Sequence, residues 1–405
     1  MSVQNLTGAR SPSLSASRLI AVIGVTLALG YAIVLAGAYA GGTWLTDAQG
    51  HPIANDFVNV WAAGRLALDG HAAAAYDWTL HKAAEVQAVG HAFDNYYGWH
   101  YPPTFLFAAA ALALMPYAAA PLVWLGVTLP VYAAAVRNIV GERAGIFVAL
   151  GSPVVLWNIT AGQNGFLTAA LIGGTLSLMQ RRPALAGICL GLLSYKPHFG
   201  LLFPVALVAA GEWRLMAAAA LVAAGMAAAS LAAFGAASWQ AFFDWMPVTS
   251  RVVLSEGGAD WWRLQSLFGF VRAHGGAEAL AWSAQGTLAL MLAVAMAWIW
   301  RSRAAFELKA AALSCAALLA TPYLYMYDLV ALTIPAAFLL RLALVRGFLA
   351  SEVFGLGAAV VLLMSYPYVT THVGLAATAI VAALIVQRFA KSYAGLSVSP
   401  VTSSR

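Results

Sequence analysis

Apolar residues fall in long runs along this chain, separated by short polar breaks that hold most of its charge. The first run, about Leu19 to Tyr39, is about 20 residues long, enough for one helix to cross the hydrocarbon core of a bilayer. A polar segment follows from Gly41 to Pro103. Within it Phe57, Val60, Trp61, Gly64 and Leu68 recur at helical spacing, which predicts a helix lying in the membrane interface. A second short helix is expected over Trp78 to Val89, and Tyr101-Pro102-Pro103 closes the segment with prolines that suit a helix entry. Apolar matter from Thr104 to Val136 is long enough for two crossings but is broken near Met115-Pro116. Arg137, Glu142 and Arg143 then form a polar break. Shorter runs flank Gly162-Gln163-Asn164 and Lys196-Pro197-His198, ending at Arg181-Arg182 and at Glu212-Trp213-Arg214.

A longer helix, Leu215 to Phe234, leads into a second polar loop, Gly235 to Glu278, which carries Trp239, Trp245, Trp261 and Trp262. The remaining helices are expected at Leu280 to Trp300, Phe306 to Ala320, Leu329 to Leu340, Val353 to Ser365 and Val373 to Val386. The pattern predicts an all-α polytopic membrane protein forming one integral membrane domain over residues 1–405, with about 12 crossings.

Composition agrees. A chain with 62% hydrophobic and 9% charged residues has too little polar surface to cover a soluble domain of this size. The net charge of +6 is scattered, which suits basic loops beside anionic lipid and not nucleic-acid binding. Cys189 and Cys315 lie in apolar runs and imply neither a disulfide framework nor a metal site. The Ser-rich start, Met1 to Ser17, precedes a run without a clear Ala-x-Ala end, so the run is read as a retained first helix and not a signal peptide.

The positive-inside rule places Arg10/Arg18, Arg137/Arg143, Arg181/Arg182, Arg214, Arg301/Arg303, Arg341/Arg346 and Arg388/Lys391 in the cytoplasm, with both termini. The Gly41–Pro103 loop, Gly162-Gln163, Lys196-Pro197, the Trp-rich loop, Pro322 to Asp328 and Tyr366 to His372 then face the other side. With these sides fixed, Thr104 to Val136 must cross an odd number of times. Either part of it is re-entrant, or the Arg137 break is not cytoplasmic.

Chemistry-bearing side chains concentrate in the first loop. Asp47, Asp56, Asp69, Asp77, Glu85 and Asp94 are six of the 15 acidic residues, and His51, His71, His81, His91 and His100 are five of the 8 histidines. Asp56, directly before the apolar face of Phe57, Val60 and Trp61, is placed to act as a general base at the membrane surface, or equally to cap a helix. Lys196 stands in an apolar stretch with no nearby acid in sequence; it suits a bound phosphate or a snorkelling role. Gln163 and Asn164 suit sugar hydroxyls, a lipid phosphate or helix caps. Asp328, behind Tyr323, Tyr325 and Tyr327, suits a cation or a ligand hydroxyl. Arg263 and Gln265, after Trp261-Trp262, suit a headgroup or an aromatic interface belt. The histidines lack metal-ligand spacing, and Walker and dinucleotide glycine patterns are absent, so neither cofactor nor metal is expected.

In order, Asn55-Asp56-Phe57, Gly70 with Tyr76-Asp77, Tyr101-Pro102-Pro103, Gly162-Gln163-Asn164, the Arg pair with Ala186-Gly187, Lys196-Pro197 and Pro322 with Tyr327-Asp328 resemble glycosyltransferase family 87. That family includes polyprenol-phosphate-mannose-dependent α-1,2-mannosyltransferases. The resemblance implies a GT-C-type helical bundle whose first outer loop bears the catalytic acid, and an inverting transfer without metal. The expected reaction moves a hexose, mannose by analogy, from a polyprenyl-phosphate sugar to a lipid or glycan acceptor outside a bacterial inner membrane. Asp56 matches the family's catalytic aspartate and Lys196 its Lys-Pro segment. Lys196 and Arg263 are expected at the donor phosphate, and Asn55, Trp61, Tyr101, Gln163, Asn164, His198, Gln265, Tyr327 and Asp328 at the substrates. The alternative is a transporter or flippase with Lys196, Gln163 and Asp328 as a midplane site.

Overall fold

The computed structural model describes residues 12–45, 55–258 and 260–396. Arg10, Asp47 and His51 lie outside them. The described residues form seventeen α-helices and no strands.

The first apolar run folds as α1 (Pro12–Ala40). The polar loop then builds the two expected short helices, α2 (Val58–Leu68) and α3 (Trp78–Val89). Asp77 caps α3 by accepting from the backbone N–H groups of Thr79 and Leu80 at 3.0 and 2.9 Å. Gly90 (φ 88°) ends it in the left-handed conformation that glycine adopts without a Cβ penalty. Next come α4 (Leu106–Ala113) and α5 (Ala120–Val140). With the single turn before it, α4 spans only Pro103–Ala113, too short to cross, so the Thr104–Val136 stretch supplies one helix long enough to cross and one short piece. That removes the odd-number difficulty. Instead of crossing, α4 packs on α2, and the two approach so closely at Gly64 that a Cβ there would overlap the Ala109 carbonyl.

The two runs between Arg143 and Arg182 become α6 (Ala144–Leu150), α7 (Val154–Ala161) and α8 (Gly165–Leu178). α6 and α7 meet at a bend of 57° at Gly151-Ser152-Pro153. Then follow α9 (Pro183–Leu192), α10 (Phe203–Ala210) and α11 (Trp213–Ser250). α11 corrects the sequence reading. The first part of the stretch expected to be a loop from Gly235 is helical to Ser250, with one break in direction at Gly235 (φ 77°, ψ 164°). Its aromatic residues Trp239, Phe242 and Trp245 recur every three residues, the spacing of a helix face.

α12 (Leu267–Ala273), α13 (Glu278–Arg301) and α14 (Phe306–Ala320) lead to a 3-10 turn, Met326–Leu332, that runs straight into α15 (Thr333–Arg346). α16 (Ala350–Ser365) and α17 (Val373–Leu396) complete the bundle. Met326–Arg346 is the central span, 78% of its apolar window being buried, and α14 beside it is buried along nearly its whole length.

Among the described residues, seven helices are long and apolar enough to cross a membrane, or eight if the bent α6–α7 pair is one span. The expected dozen is not reached. Prolines 153, 183, 197 and 204 and glycines 162 and 211 cut the middle of the chain into helices of 7 to 14 residues. Asp328 and Arg346 stand at opposite ends of the central span, about 27 Å apart by helical rise, close to the thickness of a hydrocarbon core. The Arg346 end also holds Arg341, which donates to the Ile139 carbonyl at 2.9 Å, and Arg388, which meets Glu352 at 3.3 Å. The Asp328 end holds the polar cluster described next.

Candidate active site

Four separate stretches converge at the Asp328 end. The first is the entry to α2. Asn55 accepts from the Phe57 N–H through Oδ1 at 3.1 Å, a local turn that fixes Asp56 just ahead of the helix. The second is the α7–α8 junction. Gly162 (φ 65°) ends α7, and a Cβ there would press on the Phe57 side chain, so only glycine lets this junction lie against Asn55–Phe57. Gln163 then donates through Nε2 to Asp56 Oδ2 at 3.1 Å. Tyr101 links the pair to the rest of the loop, its hydroxyl donating to Gln163 Oε1 at 3.3 Å and accepting from Asn164 Nδ2 at 2.7 Å.

The third stretch is the α9–α10 junction with Lys196. Its ammonium meets Asp328 Oδ1 at 2.6 Å, both side chains being buried, and lies 5.4 Å from the Tyr327 ring and 5.9 Å from Tyr101. The sequence showed no carboxylate near Lys196; the fold supplies one from 132 residues away. Asp328 also accepts from the Tyr325 N–H at 3.3 Å and so caps its own turn. The α8 start presses on that turn, since a Cβ on Gly165 would overlap the Tyr327 carbonyl.

The fourth stretch is the loop from Asp260 to Ser266. It is stitched to 322–325 by an antiparallel bridge between Leu264 and Tyr325 and by Gln265 N–H donating to the Leu324 carbonyl at 2.6 Å. It brings Arg263 within electrostatic reach of the cluster, exposed and 3.6 Å from Asp260.

Asp56 is partly exposed, whereas Gln163, Asn164, Lys196 and Asp328 are buried. Burial pushes the Asp56 carboxyl above the ordinary aspartate range; the Gln163 hydrogen bond and the charges of Arg263 and Lys196 pull it back. Tyr97, Tyr101, Tyr325, Tyr327 and Tyr366 all lie within electrostatic reach of Asp56. Burial likewise raises the phenol of Tyr101, which stays a donor near neutral pH. A carboxylate base, two cations and a ring of phenols can accept a proton from a hydroxyl and hold an anionic leaving group.

The structure therefore gathers Asn55, Asp56, Tyr101, Gln163, Asn164, Lys196, Arg263, Tyr327 and Asp328. It uses three other expected residues differently. Trp61 donates through Nε1 to the Met115 carbonyl at 2.9 Å and packs edge-on to Tyr117, fastening α2 to the turn before α5. Gln265 is fully buried, with Nε2 on the Trp262 carbonyl and Oε1 accepting from Gly374 N–H, both at 2.8 Å. It braces the Arg263 loop against α17. His198 packs on Phe199 and Tyr323, with ring centroids 4.4 and 6.2 Å away.

Three other acids of the first loop, Asp69, Asp77 and Glu85, have structural partners. Asp69 accepts two hydrogen bonds from Arg65, at 2.7 and 3.0 Å, and Asp77 caps α3. Sequence reasoning missed Tyr97 and Tyr366. Tyr97 stands four residues before Tyr101, and Tyr366 opens the stretch expected on the same side, so their shared side of the membrane was the available signal.

The fold and this cluster are those of a polytopic helical membrane protein with a polar site at one end of its bundle. A family model for glycosyltransferase family 87 matches residues 99–322, more than half of the chain, and the chain belongs to that family. It is accordingly a glycosyltransferase. The matched region contains Tyr101, Gln163, Lys196 and Arg263, while Asp56 and Asp328 flank it. No curated protein and no solved structure matches the chain.

Proposed function

We infer that this glycosyltransferase is an inverting enzyme of the GT-C type. It moves a hexose, mannose by the family resemblance, from a polyprenyl-phosphate sugar to a lipid or glycan hydroxyl on the extracytoplasmic side of a bacterial inner membrane. The single observation that carries the reading is Asp56. It is the one acid of the described first loop that is hydrogen-bonded into the polar cluster and lies beside Lys196 and Arg263. In this reading Asp56 takes the proton of the acceptor hydroxyl as that oxygen attacks the anomeric carbon, and the departing polyprenyl phosphate leaves toward the cations.

Between the cations, Arg263 is the freer partner for the phosphate, because Lys196 is already neutralised by Asp328. Gln163 orients Asp56, Tyr101 and Asn164 hold Gln163, and the Tyr325/Tyr327 pair, stacked at 5.5 Å, offers a face for a sugar ring. The proposed domain is the whole chain, with the first loop as its catalytic part. The test is transfer from a labelled polyprenyl-phosphate mannose by purified protein in detergent, assayed beside donor binding. Asp56→Asn should bind donor near normally and lose about 100-fold or more in turnover. Near-parental turnover would remove Asp56 from the chemistry.

A further inference from the structure

A cavity of about 440 Å³ lies in the membrane-spanning part of the bundle, between α1, the α6–α7 bend, α15 and α16. Ile23, Val148, Leu332, Gly357 and Leu363 are among its walls. Only two lining side chains carry polar atoms, Ser152 and Thr333, and these bond to each other at 3.1 Å, leaving nothing to hold a polar ligand. Its wall along the Met326–Leu332 turn and α15 runs from Leu329 to Leu340, about 18 Å by helical rise. At about 30 Å³ for each water-sized group, the space suits about fifteen carbon-sized groups, or about three isoprene units. Two of its side walls are little embedded in the bundle, only 11% of the α1 window and 17% of the α16 window being buried, so a chain can enter from the lipid.

One end of this groove leads to the site. Pro153 and Leu363 line it; one turn further along the same elements stand Trp157 and Tyr366, edge to face at 5.3 Å. Tyr366 also lies 6.1 Å from Trp262, and both Arg263 and Asp56 act on its phenol electrostatically. A hydrocarbon chain in the groove would thus meet three aromatic rings and then a cation. At the far end the groove reaches Phe348, near the basic side of the membrane.

We propose that the α1–α15–α16 groove binds the first isoprene units of the polyprenyl chain of the donor, with Trp157, Tyr366 and Trp262 as the collar through which the chain passes to its phosphate at Arg263. This rests on the transferase reading above, but its test does not require turnover. A membrane diacyl lipid is the competing occupant. The collar of Trp157, Tyr366 and Trp262 beside the exposed cation Arg263 favours a single chain ending in a phosphate.

Gly357 provides the probe. No atom lies within 4 Å of where its Cβ would stand, so a larger side chain there projects into open space without a clash. The experiment photolabels the full chain in detergent with undecaprenyl phosphate carrying a diazirine on an isoprene near the phosphate, and maps the adducts by mass spectrometry. Adducts are expected on α1, α15 and α16. Gly357→Phe should cut labelling about tenfold, Gly357→Leu by less, and Gly357→Ala little, as filling the groove excludes a few methylene groups. Unlabelled undecaprenyl phosphate should compete, and phosphatidylglycerol should not.

Adducts elsewhere in the bundle would overturn the proposal, as would labelling indifferent to all three variants or equal competition by phosphatidylglycerol. Because the parent's adduct map decides by itself, a Gly357→Phe chain that fails to fold leaves the test intact. Adducts in the groove without sugar transfer by the parent would keep the groove and sink the transferase reading.

Discussion

Asp56 and the Lys196–Asp328 pair carry two different kinds of electrostatic load. Asp56 is partly exposed, and burial raises its carboxyl, bringing a base closer to working pH. The base is active only when ionised. Turnover should therefore fall as pH drops through its raised pKa, on an acid limb above the usual aspartate value of 3.8. A pH profile of kcat/KM measures this. A limb at or below the ordinary aspartate value would mean that the titrating group is not Asp56. The buried pair behaves otherwise. Lys196→Ala leaves Asp328 without its cation and should cost about 3–5 kcal/mol of stability, whereas replacing both partners (Lys196→Met with Asp328→Leu) should cost less than either single change. Thermal unfolding of Lys196→Met, Asp328→Leu and the double variant would show it. Strictly additive losses would mean that the 2.6 Å contact contributes little.

At the scale of elements, the first loop is a small helical subdomain held by close contacts, and two residues test how it is held. Gly64→Leu should push α2 off α4, since even a Cβ overlaps the Ala109 carbonyl. A destabilisation of about 1–3 kcal/mol or more is expected, with loss of turnover because α2 carries Asp56 at its entry. Unchanged turnover would show that the α2–α4 contact does not position the site. Glu85 is the second. It is fully buried on α3 and accepts from the Tyr97 N–H at 3.2 Å.

Burial raises the Glu85 carboxyl to about 8, and burial lowers His81, 3.6 Å away, to about 3, so the two meet as neutral groups near pH 7. An unfolded chain ionises this glutamate above its free value of 4.5, while the folded chain keeps the proton to about 8, so the parent loses stability as pH climbs between them. Glu85→Gln keeps the carbonyl that Tyr97 needs. Its melting temperature should gain on the parent by about 2 °C or more at pH 8 relative to pH 4.5. An equal difference at both pH values would mean that Glu85 is ionised in the fold.

For the whole molecule the central question is which side of the membrane each polar end faces. The cluster around Asp56 and the arginines at 341, 346 and 388 lie at opposite ends of the central span. The excess of basic residues at the latter end argues that it is cytoplasmic. Ala92 is exposed on the first loop and Ala350 is exposed at the basic end. In a chain with Cys189 replaced by serine, an impermeant maleimide should label Ala92→Cys in intact spheroplasts and Ala350→Cys only after lysis. The reverse pattern would overturn the orientation, and with it a donor used from outside.

The sequence by itself determined the membrane class, the helical architecture, and several elements nearly to the residue, among them α3 and α14, because apolar periodicity and capping residues are local signals. It also singled out Asp56, Gln163, Lys196, Arg263 and Asp328, because a charge or amide in so apolar a chain stands out wherever it occurs. What it could not supply was which of these meet. Lys196 finds its anion 132 residues away, and Gln163 reaches Asp56 across 107. Such pairings depend on how helices cross, and crossings are set by close approaches at Gly64, Gly162 and Gly165 that leave no mark on hydropathy. Likewise, an apolar run gives its length but not its continuity. Packing between distant helices folds the middle of the chain as short, bent pieces around a site and leaves Trp61 and Gln265 bracing it, their polar atoms bonded to backbone.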